Sequence, residues 1–166
     1  MIIILFGQTG SGKSYVGQLL ANYFNYYFWD ADEALPTEMR KYIKSKQSFT
    51  DEMRVNYIKI IINKMNELHS KHPALIISQG LYKEKNRNEI LRHFPKALFI
   101  YLKADSKIIF QRIKSRQNEV DEEFALRILK NFELPLLKHQ ILLNNDDTDE
   151  FILEQFKVIL ANTDFK

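Results

Sequence analysis

Ile2-Ile3-Ile4-Leu5-Phe6 runs directly into Gly7-Gln8-Thr9-Gly10-Ser11-Gly12-Lys13-Ser14, and the reading of this stretch decides the fold. The first segment is a continuous apolar run of strand length, as expected for a strand covered on both faces. The second fits G-x-x-x-x-G-K-[ST]. Glycines reach positive φ, so consecutive backbone N–H groups can turn inward as an anion cradle. Beyond Lys13, the residues Val16, Leu19, Leu20, Tyr23 and Phe24 fall on one helical face. The loop therefore feeds a helix whose positive end faces the bound phosphates. Lys13 brings a mobile charge to the β- and γ-phosphates, and Ser14 brings a hydroxyl to a magnesium ion. A strand before and an amphipathic helix after disfavour the alternative, a glycine turn with no ligand. Gly7 to Ser14, with Tyr15 following, is expected to hold the phosphates of a nucleotide.

Working outward, short apolar runs alternate with amphipathic stretches. Tyr26 to Trp29 reads as a second strand ending at Asp30. Val55, Ile58, Ile61, Ile62, Met65 and Leu68 mark a long helix, with Thr50 or Asp51 as its cap. Ala74 to Ile77 follows as a third strand, then a helix from about Tyr82 to His93, then Ala97 to Leu102 as a fourth strand. Asp105 and Ser106 can cap a helix carrying Ile109, Arg112, Ile113 and Arg116. Another helix is expected from about Asp121 to Phe132, and Ile141 to Leu143 gives a fifth strand. Ile152, Phe156, Ile159 and Leu160 mark the last helix. Strands alternating with helices imply an α/β fold with a parallel sheet in right-handed βαβ units. The polar stretch from Ser115 to Glu123 is the candidate lid.

The bulk composition agrees. A chain of 166 residues and 19.7 kDa, 45% apolar and 27% charged, suits one globular domain over residues 1–166. A net charge of +3 makes no independent case for nucleic acid or an anionic membrane. The absence of cysteine excludes disulfides and thiolate metal sites. No apolar run is long enough for a transmembrane helix, and no basic region precedes the first one as a signal peptide requires. A soluble, cytoplasmic protein, monomer or homodimer, is the expectation.

Three classes of nucleotide protein can be compared. A GTPase switch carries N-K-x-D after a late strand, whereas Asn144-Asn145-Asp146-Asp147 lacks the lysine. A motor-type ATPase has an acid at the end of a central strand, but the third strand runs into Ser78-Gln79-Gly80. A small kinase can take its acids from the end of the second strand, which here reads Asp30-Ala31-Asp32. In extended chain these two carboxylates share a side. One can approach the magnesium while the other orients or deprotonates an acceptor hydroxyl. The plainer use of such acids is an Asx-type turn.

With these motifs in place, the chain resembles the gluconate kinases within the shikimate-kinase-like branch of small P-loop kinases. Phe49-Thr50-Asp51-Glu52-Met53-Arg54 resembles that family's L-[NT]-D-[DE]-D-R, and Lys83-Glu84-Lys85-Asn86-Arg87 its K-x-x-x-R. Phe99-Ile100-Tyr101-Leu102-Lys103 is similar to F-V-Y-L-K, Arg112 to Arg116 to R-L-x-x-R, and Phe132-Glu133-Leu134-Pro135 to L-E-x-P. The family's G-H-F-M after the second arginine is replaced by Gln117-Asn118-Glu119-Val120, and the Gly-Gly-Gly of shikimate kinases by Ser78-Gln79-Gly80.

The resemblance implies a three-layer sandwich with strand order 2-3-1-4-5, and phosphorylation of a hydroxyl on a sugar acid, most simply gluconate, by MgATP. It implies that Ser14 and Asp30 hold the metal, that Arg112 stacks on adenine, and that Arg116 swings onto the phosphates as the lid closes. The loop Asn144 to Thr148 is expected to border the base. Arg54, Lys83 and Arg87 are candidates to bind an anionic acceptor beside Asp32, since an arginine fork grips a carboxylate bidentately. Solvated surface charge is the alternative for each of these cations. Another acceptor (shikimate, a nucleotide or a polynucleotide end) and a nucleotide-binding module without turnover stay open.

Overall fold

A computed structural model describes residues 1–115, 126–127 and 129–163. Five strands, β1 (Ile2–Phe6), β2 (Tyr27–Asp30), β3 (Leu75–Gln79), β4 (Leu98–Lys103) and β5 (Gln140–Leu143), form one sheet in the order β2-β3-β1-β4-β5. Every neighbouring pair is parallel. The helices are α1 (Lys13–Phe24), α2 (Thr37–Lys44), α3 (Asp51–Lys71), α4 (Glu84–His93), α5 (Ser106–Ser115) and α6 (Asp149–Ala161). The expected sheet and its order are thus present. Of the helix expected at 121–132, residues 126–127 and 129–130 are helical, and the remainder lies mostly outside the described residues. No helix among the described residues is long and apolar enough to cross a membrane.

Side-chain alternation splits the core into two layers. Ile2, Ile4 and Phe6 of β1 join Leu75, Ile77, Phe99 and the inner stripe of α3. Ile3 and Leu5 turn the other way, toward Val16 and Leu20 of α1 and Ile152 and Phe156 of α6. A central strand buried on both faces has to be apolar throughout, which is why β1 shows no period.

The face of α1 differs from the expected one. Tyr23 is 55% exposed, and Gly17 and Ala21 complete the buried stripe with Val16 and Leu20. The helix lies so close to the sheet that a Cβ at Gly17 would stand 2.3 Å from Cε2 of Phe28. Small residues therefore face the sheet. Val55 of α3 is likewise exposed.

Register brings the functional end together. Asp30 pairs with Ser78, and Phe6 pairs with both Gln79 and Tyr101. The carboxyl ends of β1, β2 and β3 therefore lie side by side, where open α/β sheets bind their ligands. β3 runs two residues past the expected Ile77, to Gln79.

Candidate active site

The loop between β1 and α1 doubles back on itself, with the Ser11 N–H donating to the Gln8 carbonyl at 3.2 Å. Gly12 sits at φ 89° and caps α1 in the left-handed region, where a side chain is strained. A Cβ there would also lie 2.3 Å from Asn144 Nδ2. That amide donates to the Ser11 carbonyl at 2.8 Å and ties the loop after β5 to the glycine loop. Lys13 opens α1, and its Nζ donates to the Gln8 carbonyl at 2.9 Å.

Asp30 closes β2 and makes the turn contact that its sequence allowed, with a second contact to the glycine loop's serine. Its Oδ2 accepts from the Ser14 hydroxyl at 2.5 Å, and its Oδ1 accepts the Asp32 N–H at 3.1 Å. The second bond caps a 3-10 turn over Ala31–Ala34. Asp32 therefore does not continue an extended strand beside Asp30, as the sequence suggested. The turn carries its carboxylate across to Gln79, whose Nε2 donates to Oδ1 at 2.8 Å. Asp32 is accessible from the cleft yet flanked by protein on several sides. Loss of hydration raises its pKa above the usual aspartate range, and the Asp30 charge raises it further. Lys13, the Gln79 amide and Arg40 oppose that rise.

The cleft in front of Asp32 holds about 420 Å³ and is lined by Thr9 and Lys13 of the glycine loop, with Arg40, Arg54 and Gln79. Apolar walls come from Met39, Ile43 and Phe49. Arg54 reaches it because Thr50 caps α3, accepting the Met53 N–H at 3.2 Å. Such a cap is worth about 1 kcal/mol, and it places Arg54 in the first turn, over the Phe49 ring at 5.7 Å. Tyr82 meets the glycine loop from the other side, its hydroxyl accepting the Thr9 N–H at 2.7 Å. Burial pushes its pKa up to about 12, so it stays protonated.

Two residues of this wall have no signal in the sequence. Arg40 lies on α2, which the sequence reading passed over. Its guanidinium donates to the carbonyls of Asp32, Glu33 and Leu35, at 3.0 to 3.1 Å, and locks the 3-10 turn. Gln79 is visible only once the register of β3 is known.

Lys83 and Arg87 do not line the cleft. Lys83 pairs with Glu133 at 3.0 Å. Arg87 is completely buried, paired with Glu84 at 2.7 Å. It donates to the carbonyls of Leu81 and Glu133 and lies over the rings of Phe6 and Phe132. A guanidinium so engaged staples the start of α4 to the Glu133 segment, and its full burial keeps it out of the cleft. Arg87→Met is accordingly expected to cost about 3 kcal/mol of stability, because it strands the Glu84 carboxylate and two carbonyls. Urea unfolding checks this, and a cost under ~1 kcal/mol contradicts the structural role.

A second cavity, of about 460 Å³, lies behind the glycine loop between Gly12, Tyr15, Arg112, Asn144 and Asp146. Arg112 is fixed there, donating to Asp146 at 2.7 Å and to the carbonyls of Gly10 and Asn144. The Tyr15 hydroxyl is held by the Asp149 carboxylate, which raises its pKa. Arg116 lies outside the described residues, as does the candidate lid at 115–123 apart from Ser115, the last residue of α5.

Comparison with known proteins gives the chain a family. The sequence model of the shikimate kinase family matches residues 9–161. The chain belongs to that family. Among curated relatives, the shikimate kinase of Dictyoglomus turgidum is 28% identical over 67% of this chain and 63% of its own length. The thermoresistant gluconokinase of Escherichia coli is 27% identical over 70% of this chain and 66% of its own. These matches thus span just under two thirds of either relative. A gluconokinase structure from Sinorhizobium meliloti superposes with a TM-score of 0.79 at 22% identity, covering 96% of this chain and 90% of that one. Both of these curated relatives are kinases by name. Both acceptor names, gluconate and shikimate, occur at the same level of identity.

Proposed function

We propose that this protein transfers the γ-phosphoryl group of MgATP to a hydroxyl of a small anionic metabolite, a sugar acid of the gluconate type. One observation carries the reading: the glycine loop, through Thr9 and Lys13, opens into the same cleft that Asp32 and Arg54 line. Donor phosphate and acceptor hydroxyl can therefore meet in front of Asp32.

The residues present fit the expected groups. Ser14 and Asp30 set a hydroxyl beside a carboxylate, and hard oxygen donors of this kind suit magnesium, which keeps several waters. The Ser11 hydroxyl is buried with no hydrogen-bond partner among the described residues, a donor that a phosphate oxygen can satisfy. No group of three or more His, Cys, Asp or Glu among the described residues could hold an ion unaided. A magnesium ion here would draw its remaining ligands from phosphate and water, and would spread the charge of the transferred group.

The protein's own residues supply the rest. Lys13 neutralises phosphate oxygens, and Arg54 is placed to take the acceptor's anionic end. Asp32 orients the acceptor hydroxyl and takes its proton. The acceptor oxygen bonds to the γ-phosphorus as the bond to the ADP oxygen breaks, and ADP leaves with that electron pair.

Gluconate is favoured over shikimate because the order and spacing of the motifs resemble gluconate kinases, and because Ser78-Gln79-Gly80 replaces the glycine triplet of shikimate kinases. The experiment is acceptor-dependent ADP release at saturating MgATP, with gluconate, shikimate, polyols and nucleosides offered separately. Gluconate is expected to raise ADP release well above the acceptor-free rate. Stimulation by shikimate alone would reassign the acceptor, and no stimulation by any would leave a nucleotide-binding module.

A further inference from the structure

Gln79, the middle residue of Ser78-Gln79-Gly80, carries no role in the transfer described above, yet it joins Asp32, Tyr57 and Leu81 in one polar network at the cleft. It is the last residue of β3, on the same sheet face as Leu75 and Ile77, and it pairs with Phe6 at the root of the glycine loop. Its amide has one possible orientation. The Leu81 N–H donates to Oε1 at 3.2 Å, so the oxygen is fixed on that side. Nε2 then faces Oδ1 of Asp32 at 2.8 Å and the Tyr57 hydroxyl oxygen at 3.0 Å. Tyr57 spends its own proton on the Ala31 carbonyl at 2.6 Å, so it can only accept from the amide. Turning the amide over would set its NH₂ against the Leu81 N–H and its oxygen against a carboxylate.

The consequence falls on Asp32. One carboxylate oxygen, Oδ1, is held by Gln79, and Oδ2 makes no hydrogen bond among the described residues. That oxygen is thereby tethered to a strand end that is itself registered against β1, at the root of the glycine loop. We infer that Gln79 is the positioning residue of the transfer: its amide, locked between Leu81, Tyr57 and Asp32, turns Oδ2 of Asp32 toward the acceptor hydroxyl. This rests on the reading of Asp32 as the group that receives that hydroxyl. Gln79 acts through Asp32, and its side-chain hydrogen bonds go to Asp32, Tyr57 and Leu81 rather than to Ser14 or Asp30.

The test uses Gln79→Met, which keeps the length of the side chain and removes every hydrogen bond, and Gln79→Glu, which keeps an acceptor for the Leu81 N–H and sets a carboxylate against Asp32. Crystal structures of the free wild type and both variants report the Asp32 side chain. A single rotamer is expected in the wild type, and a displaced or split carboxylate in each variant that folds. With the acceptor that stimulates ADP release, kcat should fall by ~100-fold while KM for ATP stays within about two-fold, since an ångström of misplacement is enough for such a loss. An unmoved Asp32, an unchanged kcat, or an equal weakening of ATP binding overturns the inference. If no acceptor stimulates turnover, the functional reading fails, and the crystal structures still decide whether Gln79 positions Asp32.

Discussion

Lys13→Ala is expected to remove detectable phosphoryl transfer and leave the fold intact. Lys13 stands at the first position of α1, partly exposed, and its Nζ reaches back to the Gln8 carbonyl. Alanine is a better helix former than lysine, and the substitution uncovers none of the buried stripe below it. In the proposed transfer the ammonium, by contrast, is the cation that the glycine loop itself brings to the γ-phosphate, where charge must be neutralised in the transition state. Removing one such preorganised group typically costs about a hundred- to a thousand-fold in rate. Lys13→Ala should reach the upper end of that range, with a thermal midpoint within a few degrees of wild type. Unaltered turnover at saturating MgATP would end the kinase assignment.

Asp32→Asn is expected to lower kcat by roughly a hundred- to ten-thousand-fold, the usual worth of a general base. Asparagine keeps the shape and can still accept from Gln79 through Oδ1, so the loss isolates charge and basicity. The ATP site should be little affected, because Asp30 and not Asp32 contacts Ser14. The informative result is the ratio: a large fall in kcat with KM for ATP nearly constant. Equal losses in both would place Asp32 at the metal and reverse the roles of the two aspartates.

Sequence reading succeeded where the cause is local. The glycine loop, the apolar β1 and the amphipathic α1 are contiguous, and each forces the next. Thr50 was readable as a cap because a threonine followed by acids and an apolar period is a helix start in its own right. It failed where the cause is tertiary. α2 is a single short segment, Thr37–Lys44, with only Met39 fully buried, too little for a period to show. Arg40 was missed with it.

Arg87 read as a candidate acceptor ligand because Lys83 to Arg87 resembles the K-x-x-x-R of gluconate kinases, and only the packing of Phe6 and Phe132 around the guanidinium shows a staple. Asp30 and Asp32 were legible as a pair, but their geometry was not. Extended chain would align them on one side, whereas the bond from Asp32 N–H to Asp30 turns the backbone and sends Asp32 to a different partner. Gln79 needed the register of β3 against β1, which the strand run Ala74 to Ile77 alone does not encode.

A kinase and a nucleotide-binding module differ in where the γ-phosphoryl group goes. Phosphorus NMR of a reaction containing the protein, MgATP and gluconate measures this directly. A new phosphate monoester resonance growing in step with ADP, absent without gluconate and absent with Lys13→Ala, is the predicted result. ADP appearing only with inorganic phosphate, at a rate indifferent to the acceptor, would contradict it.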